Sequence, residues 1–423
     1  MEREKNYDII VAGGGFAGAS AAIAAAREGR RVLLIEKYNC LGGAAAFDLV
    51  NPFMPYWTHD AQSGERIDLS QGLFSEIRRR MDAAGGLRKN ENSVFNEEIL
   101  KYVLNRMALE SGVELLFQAY ITGAERKGAR IEAVHVSGVS GPKVFTAACF
   151  VDATGDANLA YLAGCPFRKG RESDGLCQPM TLCFRLGNIK TKSRADLIGR
   201  VNKLYKQFRA EGKIKNPRED VLVFNTVCDD IYHFNTTRVI KRDPTDMFDV
   251  TQAEIEAREQ IFEMVSFLRE NFEEFSESVL LSTGMQIGVR ESRMIDGEYT
   301  LTQDDLLACA RFEDSIAVCN YDIDIHNPDG SGTSHYFFPV GSYYSIPYRC
   351  LVPKGVVNLW AAGRCISVTH EAQASVRIMP TCCNLGEAAG TAAALAAADG
   401  VDSGLLDIRR LQARLRAKGA KID

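Results

Sequence analysis

Gly13, Gly15 and Gly18 stand at the spacing G-x-G-x-x-G, and Glu36 follows after an interval that fits one helix and one strand. Glycines so spaced let a turn tighten and let backbone N–H groups approach a phosphate with no Cβ in the way. An acid about twenty residues further on is suited to accept hydrogen bonds from ribose hydroxyls. The chemistry implied is dinucleotide binding, with Gly13 in the turn, Gly15 at the pyrophosphate and Gly18 at the helix–sheet contact. The elements that must position these groups lie on either side. Ile9-Ile10-Val11 is an apolar run long enough for a buried strand. Phe16, Ala17 and the alanine-rich stretch through Ala26 have high helix propensity, and Gly29 is placed to end the helix. Val32-Leu33-Leu34-Ile35 is a second apolar strand that delivers Glu36 and Lys37. Strand, glycines, helix, strand and acid in this order predict a βαβ unit.

Composition narrows the setting. At 423 residues the chain exceeds what one core usually supports, so two domains are expected. A net charge of −5 argues against a nucleic-acid surface. No apolar run approaches the roughly 18–20 residues of a membrane span. The charged N-terminus enters a strand at once, which reads as a chain with no signal peptide and a cytoplasmic location. The 12 cysteines are scattered with no C-x-x-C pair, so they are expected as free thiols. Adjacent Cys382 and Cys383 do not suit disulfide geometry.

Further along, Phe47 to Trp57 is rich in aromatics and proline and is a candidate pocket lining. An amphipathic helix is expected near 71–84 and another over 95–111 with Asn96 as N-cap, followed by strands at 113–117, 131–138 and 143–151. Phe150-Val151-Asp152 runs as a strand into Ala153-Thr154-Gly155-Asp156. Residues 165–344 change character, with polar, aromatic and charged residues alternating. Strands are expected at 181–186 and 220–227, and a long exposed helix over 251–271 with Thr251 capping and Glu254 at its third position. Asn358 to Ala362 is again a strand running into a glycine, Gly363, followed by Arg364. Pro380 to Ala397 is a small-residue helix, with Pro380 and Thr381 suited to its first turn.

Three fragments in order resemble the FAD-dependent oxidoreductases of the glutathione-reductase-like superfamily. They are the βαβ unit with Leu41-Gly42-Gly43-Ala44 behind its acid, Asp152-Ala153-Thr154-Gly155, and Ala361-Ala362-Gly363-Arg364 with the helix after it. Finer features resemble a large, mostly bacterial FAD-dependent oxidoreductase family: Val50-Asn51-Pro52, Gly288-Val289-Arg290-Glu291-Ser292-Arg293, Gly297-Glu298-Tyr299, Asp324-Ile325-His326-Asn327-Pro328-Asp329-Gly330 and Ile346-Pro347-Tyr348-Arg349. The resemblance implies an α/β fold. A Rossmann-like FAD-binding domain with a central parallel sheet and a three-stranded β-meander (residues 1–164 and 345–423) would carry an inserted α+β substrate or cap domain (165–344). It implies non-covalent FAD. Gly42, Gly43 and Ala44 would pass the pyrophosphate and ribityl chain, and Ile121 would meet adenine by backbone. Thr154, Gly155 and Asp156 would bring the chain back to the cofactor. Gly363, Arg364, Thr381 and Cys382 would lie by the flavin, at a helix N-terminus that favours negative charge on the reduced ring. The usual motif at this last site ends in Gly-Asp. Gly363-Arg364 departs from it and puts a cation near the cofactor.

The same resemblance brings candidate acid–base and anion-binding groups towards the flavin. His370, with Glu371, follows the Gly363-Arg364 turn, and Arg377 precedes the last helix. Arg290, Arg293, Tyr299, His326 and His335 lie in the inserted segment, with His59 a lower-ranked candidate. Histidine titrates near neutrality and suits proton transfer; arginine offers a bidentate fork to a carboxylate or phosphate. The expected function is oxidation or reduction of a small polar or anionic organic substrate by electron exchange with flavin, as a dehydrogenase, oxidase or reductase. A fumarate-reductase-like alkene reductase and an FAD-holding electron-transfer subunit are the alternatives. There is no second G-x-G-x-x-G and no C-x-x-x-x-C, so the chain does not resemble the disulfide reductases. The electron donor or acceptor stays open, as does assembly into a homo-oligomer.

Overall fold

The computed structural model describes residues 3–423. The chain opens with β1 (Arg3–Ala12), α1 (Phe16–Arg27) and β2 (Val32–Ile35). Helices α2 (Leu73–Ala83) and α3 (Glu97–Glu110) follow. Next come β3 (Glu114–Leu116), β4 (Tyr120–Lys127), β5 (Arg130–Gly138) and β6 (Gly141–Asp152). Strands β3, β2, β1 and β6 lie side by side and parallel. The length of β6 lets it serve two sheets in one. Its first half, Gly141–Thr146, pairs antiparallel with β5, and β5 with β4, which makes the three-stranded meander. Its last residues, Phe150–Asp152, pair parallel with a strand that returns from far along the chain. The expected parallel sheet and meander are thus one mixed sheet. Ile9, Ile10, Val11 and all of β2 are buried on both faces, which is why these runs are continuously apolar rather than alternating.

A second hydrophobic core draws on residues between Met180 and Ile287. It contains β7 (Phe184–Gly187), α4 (Arg194–Ala210), β8 (Val223–Asn225), β9 (Tyr232–Phe234), α5 (Met247–Asn271) and β10 (Val279–Thr283). Its sheet runs β8-β9-β7-β10, antiparallel throughout. Residues such as Met294, Leu301, Ile316 and Tyr344 join the first core instead. The chain then closes the large sheet with β11 (Leu359–Ala361) and adds α6 (His370–Val376) and α7 (Met379–Asp399). Helices α1 and α7 meet backbone to backbone. A Cβ at Gly386 would lie 2.0 Å from the Ala17 carbonyl oxygen, and one at Gly390 2.0 Å from that of Ala21. That approach explains why both helices are written in alanine and glycine.

Asn96 caps α3 as expected, accepting from the N–H groups of Glu98 and Ile99, and all 12 cysteines are free. Four expectations need correction. Helix α5 starts before Thr251: Asp246 accepts from the N–H groups of Phe248 and Asp249, so the cap lies one turn earlier. Thr251 instead donates to the Met247 carbonyl, and Glu254 accepts from the Ile287 N–H. The helix is also half-buried, with Ala253, Ala257, Ile261 and Leu268 turned inward. The aromatic segment 47–57 is mainly packing. The Phe53 ring lies 4.3 Å from Phe95 and 5.2 Å from Phe74, and Phe47 and Tyr56 are buried. The strands expected at 181–186 and 220–227 are Phe184–Gly187 and Val223–Asn225.

Candidate functional site

A cleft of about 470 Å³ opens at the carboxyl ends of β1 and β2. Its floor is main chain. Gly13 has φ +93°, and a Cβ there would lie 2.5 Å from the Ala153 carbonyl oxygen. Gly15 faces open space, its nearest neighbour being the Gly43 Cα at 3.7 Å from where a Cβ would stand. Gly18 does not line the cleft; a Cβ would stand 1.8 Å from the Gly13 carbonyl oxygen, so it lets the helix seat against the turn. The first bond into α1 runs from the Ala19 N–H to the Gly15 carbonyl. The N–H groups of Phe16, Ala17 and Gly18 therefore have no partner along the helix and form its electropositive end. Opposite run Gly42, Gly43 and Ala44, tied on by the Gly42 N–H donating to the Gly14 carbonyl at 2.9 Å. The Glu36 carboxylate accepts from the N–H of Gly14 at 2.5 Å and of Tyr38 at 2.9 Å. Burial pushes its carboxyl above the ordinary range against those bonds. Lys37, Ala119, Tyr120 and Ile121 continue the wall. An elongated cleft with a Cβ-free cradle at a helix start and an acid beyond it fits a dinucleotide.

The far end is made of side chains. Thr154, Gly155, Asp156, Gly363, Arg364 and Cys382 line it. Gly155, at φ +79°, makes room for the Arg364 guanidinium; a Cβ would lie 2.5 Å from its nearest nitrogen. Arg364 donates to Asp156 at 2.7 Å, and Ser292 donates to the same carboxylate oxygen at 2.7 Å. Burial, the largest influence, would raise the Asp156 carboxyl, but Arg364, the Ser292 hydrogen bond and Lys37 together outweigh it and hold it below the ordinary range. Thr381 lies behind the wall, 99% buried, its hydroxyl on the Cys319 sulfur. Met379 and Cys382, in the first turn of α7, face the cleft.

Among the acid–base and anion-binding candidates, Arg377 alone lines this cleft. It lies 3.6 Å from Asp324 and 3.5 Å from the Gln178 side-chain oxygen Oε1, and its Nε is buried without a hydrogen-bond partner. Arg290 lies behind it, donating to the Pro179 carbonyl, Thr181 and Asn235. Arg293 donates to the Asp156 carbonyl and Asn158 and stacks over Tyr161, tying segments together. His326 is held between Arg238 at 3.1 Å and Asp324 at 3.4 Å. Burial and then Arg290 push it down to about 3, so it is neutral. His335 pairs with Asp322 on an exposed hairpin, and Tyr299 donates to Asp305. His370 starts α6, 94% buried, with Nδ1 on Glu291 at 2.9 Å; it borders a separate surface groove. His59 is exposed.

Several cleft residues carry no signal in the sequence. Asp48 accepts from Gln286 Nε2 at 2.7 Å, and Gln286 in turn accepts from the Tyr38 hydroxyl. Pro244 to Met247, at the start of α5, form part of the rim. These residues come from three distant segments with no shared spacing.

Comparison with solved structures finds remote likenesses. One is a geranylgeranyl bacteriochlorophyll reductase-like protein from Thermoplasma acidophilum, with 11% identity and a TM-score of 0.46, covering 99% of this chain and 84% of that one. Another is the flavin-dependent brominase Bmp2, in a triple-mutant form, with 13% identity and a TM-score of 0.46 over 97% of this chain and 84% of that one. A third is CabE, an aromatic hydroxylase from angucycline biosynthesis, with 13% identity and a TM-score of 0.48 over 98% and 69%. No curated protein matches the chain. The model of the FAD dependent oxidoreductase family matches residues 8–415, from within β1 to beyond α7. With a cradle shaped for a dinucleotide and a family match over nearly its whole length, this chain belongs to the FAD dependent oxidoreductases.

Proposed function

We propose that the protein is an FAD-dependent dehydrogenase, oxidase or reductase of a small organic anion, which binds at the Arg377 end of the cleft. When bound, FAD supplies the two-electron acceptor or donor. The chain's own residues orient the cofactor, hold the substrate and manage protons. The observation that carries the reading is a charge imbalance. Four arginines lie together between the two cores. Arg218 has Asp220 at 3.0 Å, Arg238 has Glu219 at 3.1 Å, and Arg377 has Asp324 at 3.6 Å. Among the described residues Arg290 makes no ion pair, only hydrogen bonds to neutral acceptors, and it shares the charge of Asp324 with Arg377. Burial, then repulsion from Arg377 and Arg218, pushes it down to about 9. A guanidinium does not give up its proton in a protein, so the cluster carries excess positive charge away from water. An anionic ligand beside Arg377 compensates it.

The test is a titration of the FAD-loaded protein with small mono- and dicarboxylates, followed by flavin absorbance. Carboxylates are expected to perturb the spectrum and uncharged analogues not to. Arg377→Gln is expected to weaken carboxylate binding by about tenfold or more, the worth of a charge-assisted hydrogen bond, with FAD content unchanged. Equal response to neutral analogues, or undiminished affinity in the variant, removes the anion reading.

A further inference from the structure

Asp48 is the one residue of the 47–57 segment that reaches the cleft. It is 96% buried, at the seam where the second core meets the nucleotide-binding sheet. A Cβ built on Gly288 would lie 3.5 Å from its own, and the Gly284 glycine beside it packs on its carbonyl. One carboxyl oxygen, Oδ1, takes the hydrogen bond from Gln286. The other, Oδ2, has no hydrogen-bond partner among the described residues. Among the described residues no arginine or lysine forms an ion pair with it, which sets it apart from Asp156 and Asp324 in the same region. The charged and titratable groups around it are Lys37, Asp156 and Arg364 on the nucleotide-binding side, Tyr38 through Gln286, and Cys183 from the second core.

We propose that Asp48 is the proton-exchanging group of the cleft, with Oδ2 taking the proton from the substrate's O–H or N–H, or returning it in the reverse direction. The proposal rests on the oxidoreductase reading above. In oxidation the O–H or N–H bond breaks and its proton bonds to Oδ2. The electron pair left behind forms C=O or C=N as the neighbouring carbon gives up hydride to FAD. A paired carboxylate such as Asp156 stays ionised and cannot cycle in this way. Burial pushes the Asp48 carboxyl up to about 7, against the Gln286 hydrogen bond and the pull of Arg364 and Lys37. That value lets it hold and release a proton near neutrality, where a general acid–base works best. Gln286 is then a positioning residue, oriented by Tyr38.

The experiment needs no known substrate. The FAD-loaded protein is titrated from pH 5 to 9 and the flavin absorbance followed. Wild type is expected to show one ionisation near 7 that is absent from Asp48→Asn, a variant that keeps an acceptor for Gln286 and so spares a merely structural tie. Gln286→Leu, which removes the bond favouring the anion, is expected to move the ionisation upward, and it serves should Asp48→Asn fail to fold. The same ionisation in wild type and Asp48→Asn, or none in wild type, overturns the assignment. Because carboxylates are absent, failure here is separate from failure of the anion reading. With a carboxylate that bleaches the flavin, Asp48→Asn is expected to bind it normally and bleach about 10²–10⁴-fold more slowly, the usual worth of general acid–base catalysis. Equal rates also overturn the proposal.

Discussion

At the end of the cleft lined by Gly13, Gly15 and Gly43, the groups that meet a ligand are main-chain N–H. At the end lined by Asp48, Arg364 and Arg377 they are side chains drawn from three separate segments. The first end has little freedom. Gly13 is held at positive φ, Gly18 presses on the Gly13 carbonyl, and the alternatives to glycine are steric collisions. The second is set by charge balance, and any residue that keeps the balance could stand there. The Arg364–Asp156 pair shows this: the cation that follows Gly363 is answered by a neighbouring carboxylate.

The sharpest way to break the comparison is at the glycines. Gly18→Ala forces a Cβ to 1.8 Å from a backbone oxygen that cannot move without opening the turn. The expected loss is about 3 kcal/mol or more of folding stability, beyond ordinary overpacking, with no FAD retained. Gly15→Ala meets nothing closer than the Gly43 Cα, in ordinary contact at 3.7 Å, at an ordinary φ of −65°. It is expected to hold the apo-protein's stability within about 1 kcal/mol while FAD affinity falls. Chemical denaturation of the apo-protein beside FAD titration reads both. If the two variants behave alike, the division between a fold glycine and a ligand glycine is wrong.

A smaller effect tests the other end. Arg290→Met removes the one guanidinium of the cluster that makes no ion pair among the described residues. Without ligand, the variant is expected to gain up to about 1 kcal/mol, because a half-buried charge with no ion pair of its own is replaced by an apolar chain of similar length. With a carboxylate bound, that advantage is expected to disappear. A loss in the ligand-free protein would mean that the bonds to Pro179 and Thr181 outweigh the charge, and the imbalance would then say nothing of an anion.

The same division explains what could be read from the amino acids alone. The β1–α1–β2 unit, the return strand β11 and the final helix were legible, because backbone geometry demands glycine, alanine and apolar runs at fixed spacing; the three-stranded meander followed only from the family resemblance. The family match supports the FAD reading that these motifs suggested. Asp48 and Gln286 are 238 positions apart and meet only through the fold. Nothing in the local pattern marks either one. The aromatics around Asp48 drew attention to the right segment for the wrong reason, since Phe53 and Tyr56 are core residues. His370 lies close in sequence to the Gly363-Arg364 turn, yet at the first residue of α6 its ring pairs with Glu291 and borders another groove.

The smallest effect concerns the rim, where α5 begins. Read from its letters, Thr251 with Glu254 three positions on makes a capping box, a strong start signal. The helix begins instead at Met247 because Asp246 is available one turn earlier and an ionised acid is a better acceptor for N–H groups at the positive helix end. Once the helix runs through it, Thr251 can only bond back to the Met247 carbonyl, which contributes little. Asp246→Ala is therefore expected to cost about 1 kcal/mol and Thr251→Ala less than about 0.5 kcal/mol, measured by denaturant unfolding. The contrast reaches function, because Asp246 and Met247 border the cleft while Thr251 does not. Fraying the first turn is expected to speed FAD release in Asp246→Ala alone. Equal FAD release from both variants would mean that this turn only borders the cleft and does not hold its contents.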